Sequence, residues 1–366
     1  MSIKVGFVNE LGVSSEVVRR FYAENWKRKI ALSDEGFYEW QFVKAPDNLG
    51  KDHCVIAYDD QKEIVLGVMG LNERTFFLNG EEKRGAELTT WIVSSEAQGT
   101  GVGARILQYI QLNFEVLIGM GISEMALPIY MRSGFRYLSK IPRFIKVLNF
   151  KKLDTHSTYN KLGAKLAQSW SADSPINYTV TEVDDKEYSD VFESVKLKYN
   201  FFTRSNIHRT WRYDEHPHFK YKQFLIKNSD GKNEDLAYIS IREEDSLDEF
   251  KIIHVMDFFG SDDAMESGVN FLNNYAKKND YDVIDFYCTS SNIYRFMLGD
   301  GWFSINDDNC FQFPHLFHPI EMRTPPTTSL IYWSKDHLRD LADISKLYIT
   351  KQDADLDRPT MHTLKQ

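Results

Sequence analysis

Residues 87–111 read ELTTWIVSSEAQGTGVGARILQYIQ. The first seven are apolar and β-branched enough for a strand, and a short polar turn leads from them to glycines at 99, 101 and 103. An amphipathic helix pattern begins at once after the last glycine. A strand, a glycine loop and a helix start in that order aim unpaired N–H groups and the positive end of a helix dipole at one spot. The stretch therefore predicts an α/β fold with an anion-binding, phosphate-type loop.

On the N-terminal side, residues 3–8 (IKVGFV) read as a first strand, and Ser14, Ser15 and Glu16 offer a cap for a helix carrying Val18, Phe21 and Trp26 on one stripe. The apolar runs 54–58 (CVIAY) and 63–71 (EIVLGVMGL) flank Asp59, Asp60, Gln61 and Lys62 and predict a hairpin. On the C-terminal side, 116–122 (VLIGMGI) reads as a strand. Ser123 can cap a helix over 124–133, limited by Pro128, and 135–150 returns to strand. One unit with a mixed sheet is thus expected over 1–150, followed by a polar linker with one helix at 151–177 and a second unit at 178–366.

The second unit looks like a copy of the first. Trp211-Arg212-Tyr213 with Pro217 repeats the spacing of Trp40-Gln41-Phe42 with Pro46, and the offset between the tryptophans, 171, is also that between the prolines. A hairpin pattern follows each copy, and Tyr294 with Gly301-Trp302-Phe303 parallels Tyr130 with Gly134-Phe135. The counterpart of the opening strand is 250–260 (FKIIHVMDFFG). It runs into Ser261, Asp262 and Asp263 without a glycine loop, and two carboxylates there repel phosphate. The copy is degenerate, with one anion loop between the two.

Composition sets the bounds. The 366 residues are 42% apolar and 14% aromatic, sufficient for two cores. A formal charge of −9 and a pI near 5.6 argue against a nucleic-acid binder. Cys54, Cys288 and Cys310 are too few and too scattered for a disulfide framework or a zinc site, and no apolar run reaches the roughly 18 residues of a membrane span. The expectation is a cytoplasmic monomer or homodimer acting on a small molecule.

Gln98-Gly99-Thr100-Gly101-Val102-Gly103-Ala104 resembles the acyl-CoA loop of the GNAT acyltransferase superfamily, and ALPIYMRSGFRYL resembles the segment that follows it in that superfamily. Ser123 departs from the asparagine many members carry. The resemblance implies a tandem pair of GNAT-like mixed-sheet domains, the second degenerate. It implies acetyl-CoA or another acyl-CoA as cofactor, with the pyrophosphate on Gln98–Ala104 and the pantetheine along Trp91, Ile92 and Val93. Tyr130 would serve the departing thiolate as acid.

For the base, Glu87 on the opening strand competes with Asp257 and His254 on the corresponding strand of the copy, and with His53. Trp40, Arg204, Trp211, Arg212, Tyr213 and His254, with His216 and His218 nearby, are the acceptor-binding candidates, because arginine forks suit phosphate and aromatic rings stack on bases and sugars. The double-domain pattern is similar to bacterial surface-polysaccharide N-acyltransferases, which implies a nucleotide-linked amino sugar as acceptor. Mycothiol-synthase-like or Fem-like acylation of a small amine or peptide, and non-catalytic acyl-CoA sensing, are the alternatives. Asp353, Asp355 and Asp357 approach a metal-loop spacing but lack its glycine and glutamate, and they read as a solvated turn.

Overall fold

The structure, a computed structural model, describes residues 3–27, 29–153, 158–159, 177–229, 235–245, 250–305, 311–314, 316–317, 320–321, 327–353 and 357–360. Most of the expected linker, Cys310 and Asp355 lie outside these.

The first unit runs β1 (Ile3–Phe7), α1 (Ser15–Asn25), α2 (Glu35–Phe42), β2 (Val55–Asp59), β3 (Ile64–Leu78), β4 (Glu81–Val93), α3 (Val102–Asn113), β5 (Val116–Met120), α4 (Leu127–Arg132), β6 (Arg136–Leu138) and β7 (Arg143–Val147). The opening strand is longer than its apolar run suggested. It begins at Glu81 and pairs with β3 across the two-residue turn Asn79-Gly80, both at positive φ (52° and 85°), which is the geometry a tight antiparallel hairpin requires. Residues 72–86 are too charged to read as a buried strand, yet the Asn-Gly turn fixes their register. Helix α1 buries Val18, Phe21 and Tyr22, whereas Trp26 follows the helix and is exposed.

The two sheets have the same plan. In the first, β1, β2, β3 and β4 are consecutive and antiparallel and β5 lies parallel to β4; then come the strand Leu330–Ser334 and β6. In the second, strands Tyr178–Thr181, Tyr221–Asn228, Leu236–Asp245 and Lys251–Gly260 are antiparallel. Val283–Tyr287 is parallel to the last of these, followed by β7 and Phe303–Ser304. Each unit therefore lends one strand to the sixth position of the other's sheet. Strand β7 thus pairs in the second sheet although it precedes residue 150, and Leu330–Ser334 pairs in the first although it lies far beyond 178.

The repeat detected in sequence is a physical contact. Trp40 and Trp211 stack with centroids 4.9 Å apart and planes at 17°, and each indole Nε1–H donates to the other's backbone oxygen at 2.9 Å. Such reciprocal bonds relate the copies by an approximate two-fold axis. The pair is buried, so both indole donors need partners and each copy supplies the other's. Among the described residues no helix is long and apolar enough to cross a membrane.

Candidate active site

Two local features prepare the edge of β4. The β3–β4 register shifts between Met69 and Leu71, which pair with Trp91 and Leu88, so Thr89 and Thr90 oppose Gly70 alone. This is a β-bulge, and Gly70 permits it: a Cβ there would lie 2.3 Å from Thr89 Oγ1 and 2.7 Å from the Phe42 ring. The parallel β4–β5 ladder stops at Leu88–Gly119, beyond which the strands diverge. Ser94 N–H donates to Leu66 O on the β3 side, so by alternation Val93 and Trp91 turn their N–H and C=O toward the opening.

The glycine loop stands next to this opening. Gly99 and Gly101 adopt φ of 77° and 84°, conformations that favour glycine, and a Cβ at either would meet nothing within 4 Å. Gly101 caps α3 with no side-chain hydrogen bond, which leaves the first N–H groups of a twelve-residue helix directed outward. Helix α3 forms because Val102, Ile106, Leu107 and Ile110 share a buried face; Gly103 on that face lets it approach the sheet, since a Cβ there would lie 2.9 Å from Trp91 Cζ2. The loop from Gln98 to Thr100, with Gly101 and Ala104, is exposed. A spot ringed by N–H donors at a helix N-terminus suits an anion, and the open edge of β4 can pair with an extended amide-bearing chain.

Tyr130, on α4, lies beneath the same opening. It packs edge-on against Trp91 at 5.2 Å and Phe135 at 5.0 Å, and its hydroxyl is 4.0 Å from Met69 Sδ. Burial raises its pKa, so the phenol stays protonated and is suited to give a proton, not to take one.

On the other face of β4, Glu87 is buried and accepts a hydrogen bond from Asn72 Nδ2 at 3.1 Å. Both line a chamber of about 20 Å³ at the junction of the two units, with Phe37, Trp40 and Gln41 from α2, Arg74 from β3, Trp211 and Arg212 from the second unit, and Gln352 and Asp357 from the C-terminal segment. Glu87, Trp40, Trp211 and Arg212 are thus brought together as the sequence suggested. Asn72, Arg74, Gln41 and Gln352 were not singled out there, because nothing local distinguishes them from ordinary strand and helix polar residues.

Other expected site residues have different surroundings. Asp257 is fully buried, bonded to Arg204 Nε at 2.7 Å and 3.0 Å from the Tyr348 hydroxyl. The remainder of the Arg204 fork is taken by Asp353, at 2.7 and 2.6 Å, which also holds Arg74 at 3.2 Å. Arg212 contacts Asp357 at 3.5 Å and the Tyr221 hydroxyl at 3.0 Å. These forks, expected to face phosphate, are closed by carboxylates of the chain itself. His254 has both ring nitrogens engaged, with Asp285 at 2.6 Å and Glu244 at 3.0 Å, and Tyr213 packs in the second core. His53 sits 3.1 Å from Glu73 and outside the chamber. Asp353 and Asp357 are buried ion-pair partners where a solvated turn was expected.

Residues 16–130, which hold the parting strand, the bulge, the glycine loop and Tyr130, match the model of the acetyltransferase (GNAT) family. The chain carries a GNAT acetyltransferase domain over these residues. That domain marks it as an acyltransferase. Solved structures share the tandem architecture. A GCN5-related N-acetyltransferase from Anabaena variabilis ATCC 29413 aligns over 90% of this chain and 72% of its own, at 12% identity and a TM-score of 0.55. One from Kribbella flavida aligns over 91% and 72%, at 10% identity and a TM-score of 0.54. The Saccharomyces cerevisiae N-myristoyltransferase with bound myristoyl-CoA aligns over 91% and 79%, at 11% identity and a TM-score of 0.50. These likenesses concern the fold. No curated protein matches the sequence.

Proposed function

We propose that this GNAT protein transfers the acyl group of an acyl-CoA, acetyl-CoA in the first instance, to an amine of a small acceptor seated between the two units. The observation that supports the reading is the exposed glycine loop beside the parting of β4 from β5 after Leu88, with Glu87 on the same strand. The residues fit the cofactor: the N–H groups of Gly99 to Ala104 would hold its pyrophosphate, and the outward backbone groups of Trp91 and Val93 would pair with its pantetheine amides. Acyl-CoA supplies the activated thioester. Tyr130, protonated because it is buried, would donate to the leaving thiolate. Glu87 receives the proton of the amine. Asp257 is set aside as base, because its carboxylate is held by Arg204 in the second unit.

For the acceptor we retain the nucleotide-linked amino sugar of surface-polysaccharide synthesis, on the sequence resemblance. The amino group is the part the site supports; Arg204 and Arg212 lend the diphosphate no support, since both forks are occupied. The test is thiol release from acetyl-CoA against nucleotide-linked amino sugars, amino acids and polyamines. Tyr130→Phe is expected to lower kcat about 100-fold while CoA affinity is retained. An unchanged kcat would remove Tyr130 from the chemistry.

A further inference from the structure

Two residues of β4 stand between its paired part and its open edge. Pairing with β5 ends at Leu88, and pairing with β3 resumes only at Trp91 after the bulge, so Thr89 and Thr90 are paired in neither register. The φ and ψ of these two residues set the direction in which Trp91 and Val93 leave. A junction without ladder bonds opens readily unless something else holds it. Here two hydrogen bonds hold Thr90. The Tyr22 hydroxyl, from α1, donates to Thr90 O at 3.0 Å, and Arg358 Nη2, from the C-terminal segment, donates to Thr90 Oγ1 at 2.8 Å. Thr90 is buried, so water is no ready substitute for either bond.

Arg358 is itself anchored on both sides. The residue before it, Asp357, is buried and held by the second unit: Arg242 Nε donates to it at 2.7 Å, the Tyr221 hydroxyl donates to its other oxygen, and Arg212 lies at 3.5 Å. The residue after it, Pro359, is buried, and its ring steers Arg358 away from helical backbone. The Asp-Arg-Pro that closes the acidic run of the C-terminal segment is therefore a bracket. Its carboxylate grips the second unit, and its guanidinium grips the bulge of the first.

We infer that Arg358 is a positioning residue for acyl transfer: through Thr90 Oγ1 it sets the angle at which β4 presents Trp91 and Val93 to the opening, and it transmits the docking of the second unit to that edge. The effect on rate rests on the transferase reading; the effect on the strand does not. Arg358 touches no reacting atom in this role. A shift of about 1 Å in the strand edge is enough to slow transfer, because reacting groups must meet within a narrow range of distance and angle. The degenerate unit thereby takes part in the reaction with no ligand of its own.

The experiment compares the full chain with four variants. Arg358→Met removes the donors, Arg358→Lys keeps a charge that can still donate, Thr90→Val keeps the shape and removes the oxygen, and Thr90→Ser keeps the oxygen. Hydrogen exchange read by mass spectrometry is expected to quicken about tenfold at residues 89–93 in Arg358→Met and in Thr90→Val, and to stay unchanged at 81–88. With acetyl-CoA and the amine panel named above, both variants are expected to lower kcat about tenfold while KM for acetyl-CoA is retained. Thr90→Ser stays near the wild type, and Arg358→Lys recovers part of the loss. The Arg358→Met and Thr90→Val double variant is no slower than either single one, because both remove the same bond. Effects that multiply would separate Arg358 from Thr90 and overturn the inference, as would wild-type exchange at 89–93 in Arg358→Met. Full activity in Arg358→Lys beside a silent Thr90→Val would also overturn it, by making the arginine a plain charge. A different failure belongs to the broader reading: no amine of the panel releases thiol from the wild-type chain, and exchange at 89–93 alone then decides whether Arg358 holds the strand.

Discussion

The two halves open their sheets in the same place and fill the opening differently. In the first, β4 parts from β5 after Leu88, and its outward backbone groups face the space beside the glycine loop. In the second, Lys251–Gly260 pairs with Val283–Tyr287 only as far as Val255, and a bulge at the same point releases the rest of the strand. There the C-terminal segment enters. The Tyr348 hydroxyl donates to Phe258 O at 2.6 Å and accepts from Phe258 N at 3.1 Å, while Ile349 accepts from Thr289 N. The helix starts differ in the same sense. Gly101 leaves the first without a side-chain cap, whereas Ser261 caps the second, and Asp262 beside it pairs with Lys198 at 2.6 Å. The first splay leaves the outward groups of Trp91 and Val93 to the opening, where the proposed cofactor would bind, and the second spends its own on the chain. A duplicated fold can thus turn one binding site into a structural joint, because the same unpaired backbone groups serve either end.

This contrast can be broken at the joint. Asp353→Ala removes the carboxylate that binds Arg204 and Arg74 and accepts from Thr350 N, leaving two buried guanidinium groups short of a partner. A loss of about 3–5 kcal/mol in urea unfolding is expected, and an effect below 1 kcal/mol would show that the segment is not a structural joint. Closing the first splay comes next. Gly101→Glu imposes a strained φ and places a carboxylate at the helix start, making the first loop resemble the second. CoA affinity, measured by calorimetry, is expected to fall about 100-fold, near 2.8 kcal/mol. Retained affinity would move the cofactor elsewhere. The smallest expected change is Tyr348→Phe, which strips the hydroxyl from Phe258 without altering packing. A loss of about 1 kcal/mol is expected, with kcat little changed because the second splay takes no part in the chemistry.

Local signals made half of this legible. The glycine spacing, the strand before it and the helix after it are contiguous, so the sequence specifies that loop with no help from the rest of the chain. The offset of 171 between two tryptophan motifs likewise needed only comparison of the chain with itself, and it marks a stacked pair on the axis between the copies. Arg204 and Asp257 were read as site residues because an arginine and an aspartate carry the same letters whether they face a ligand or each other. Only burial and a 2.7 Å contact tell the two apart.

What the sequence determined by itself is therefore the fold, its duplication and the place of the glycine loop, each written in short runs whose backbone conformations are set by neighbouring residues. What the tertiary structure decided is the exchange of Arg143–Val147 and Leu330–Ser334 between sheets, the plugging of the second splay by Tyr348, and the union of Gln41, Asn72, Glu87 and Gln352 around one chamber. Those partners lie far apart along the chain, and hydrogen bonding across such distances leaves no local pattern in sequence. It is fixed only when two twisted sheets dock and every buried polar group must find, or wait for, its partner.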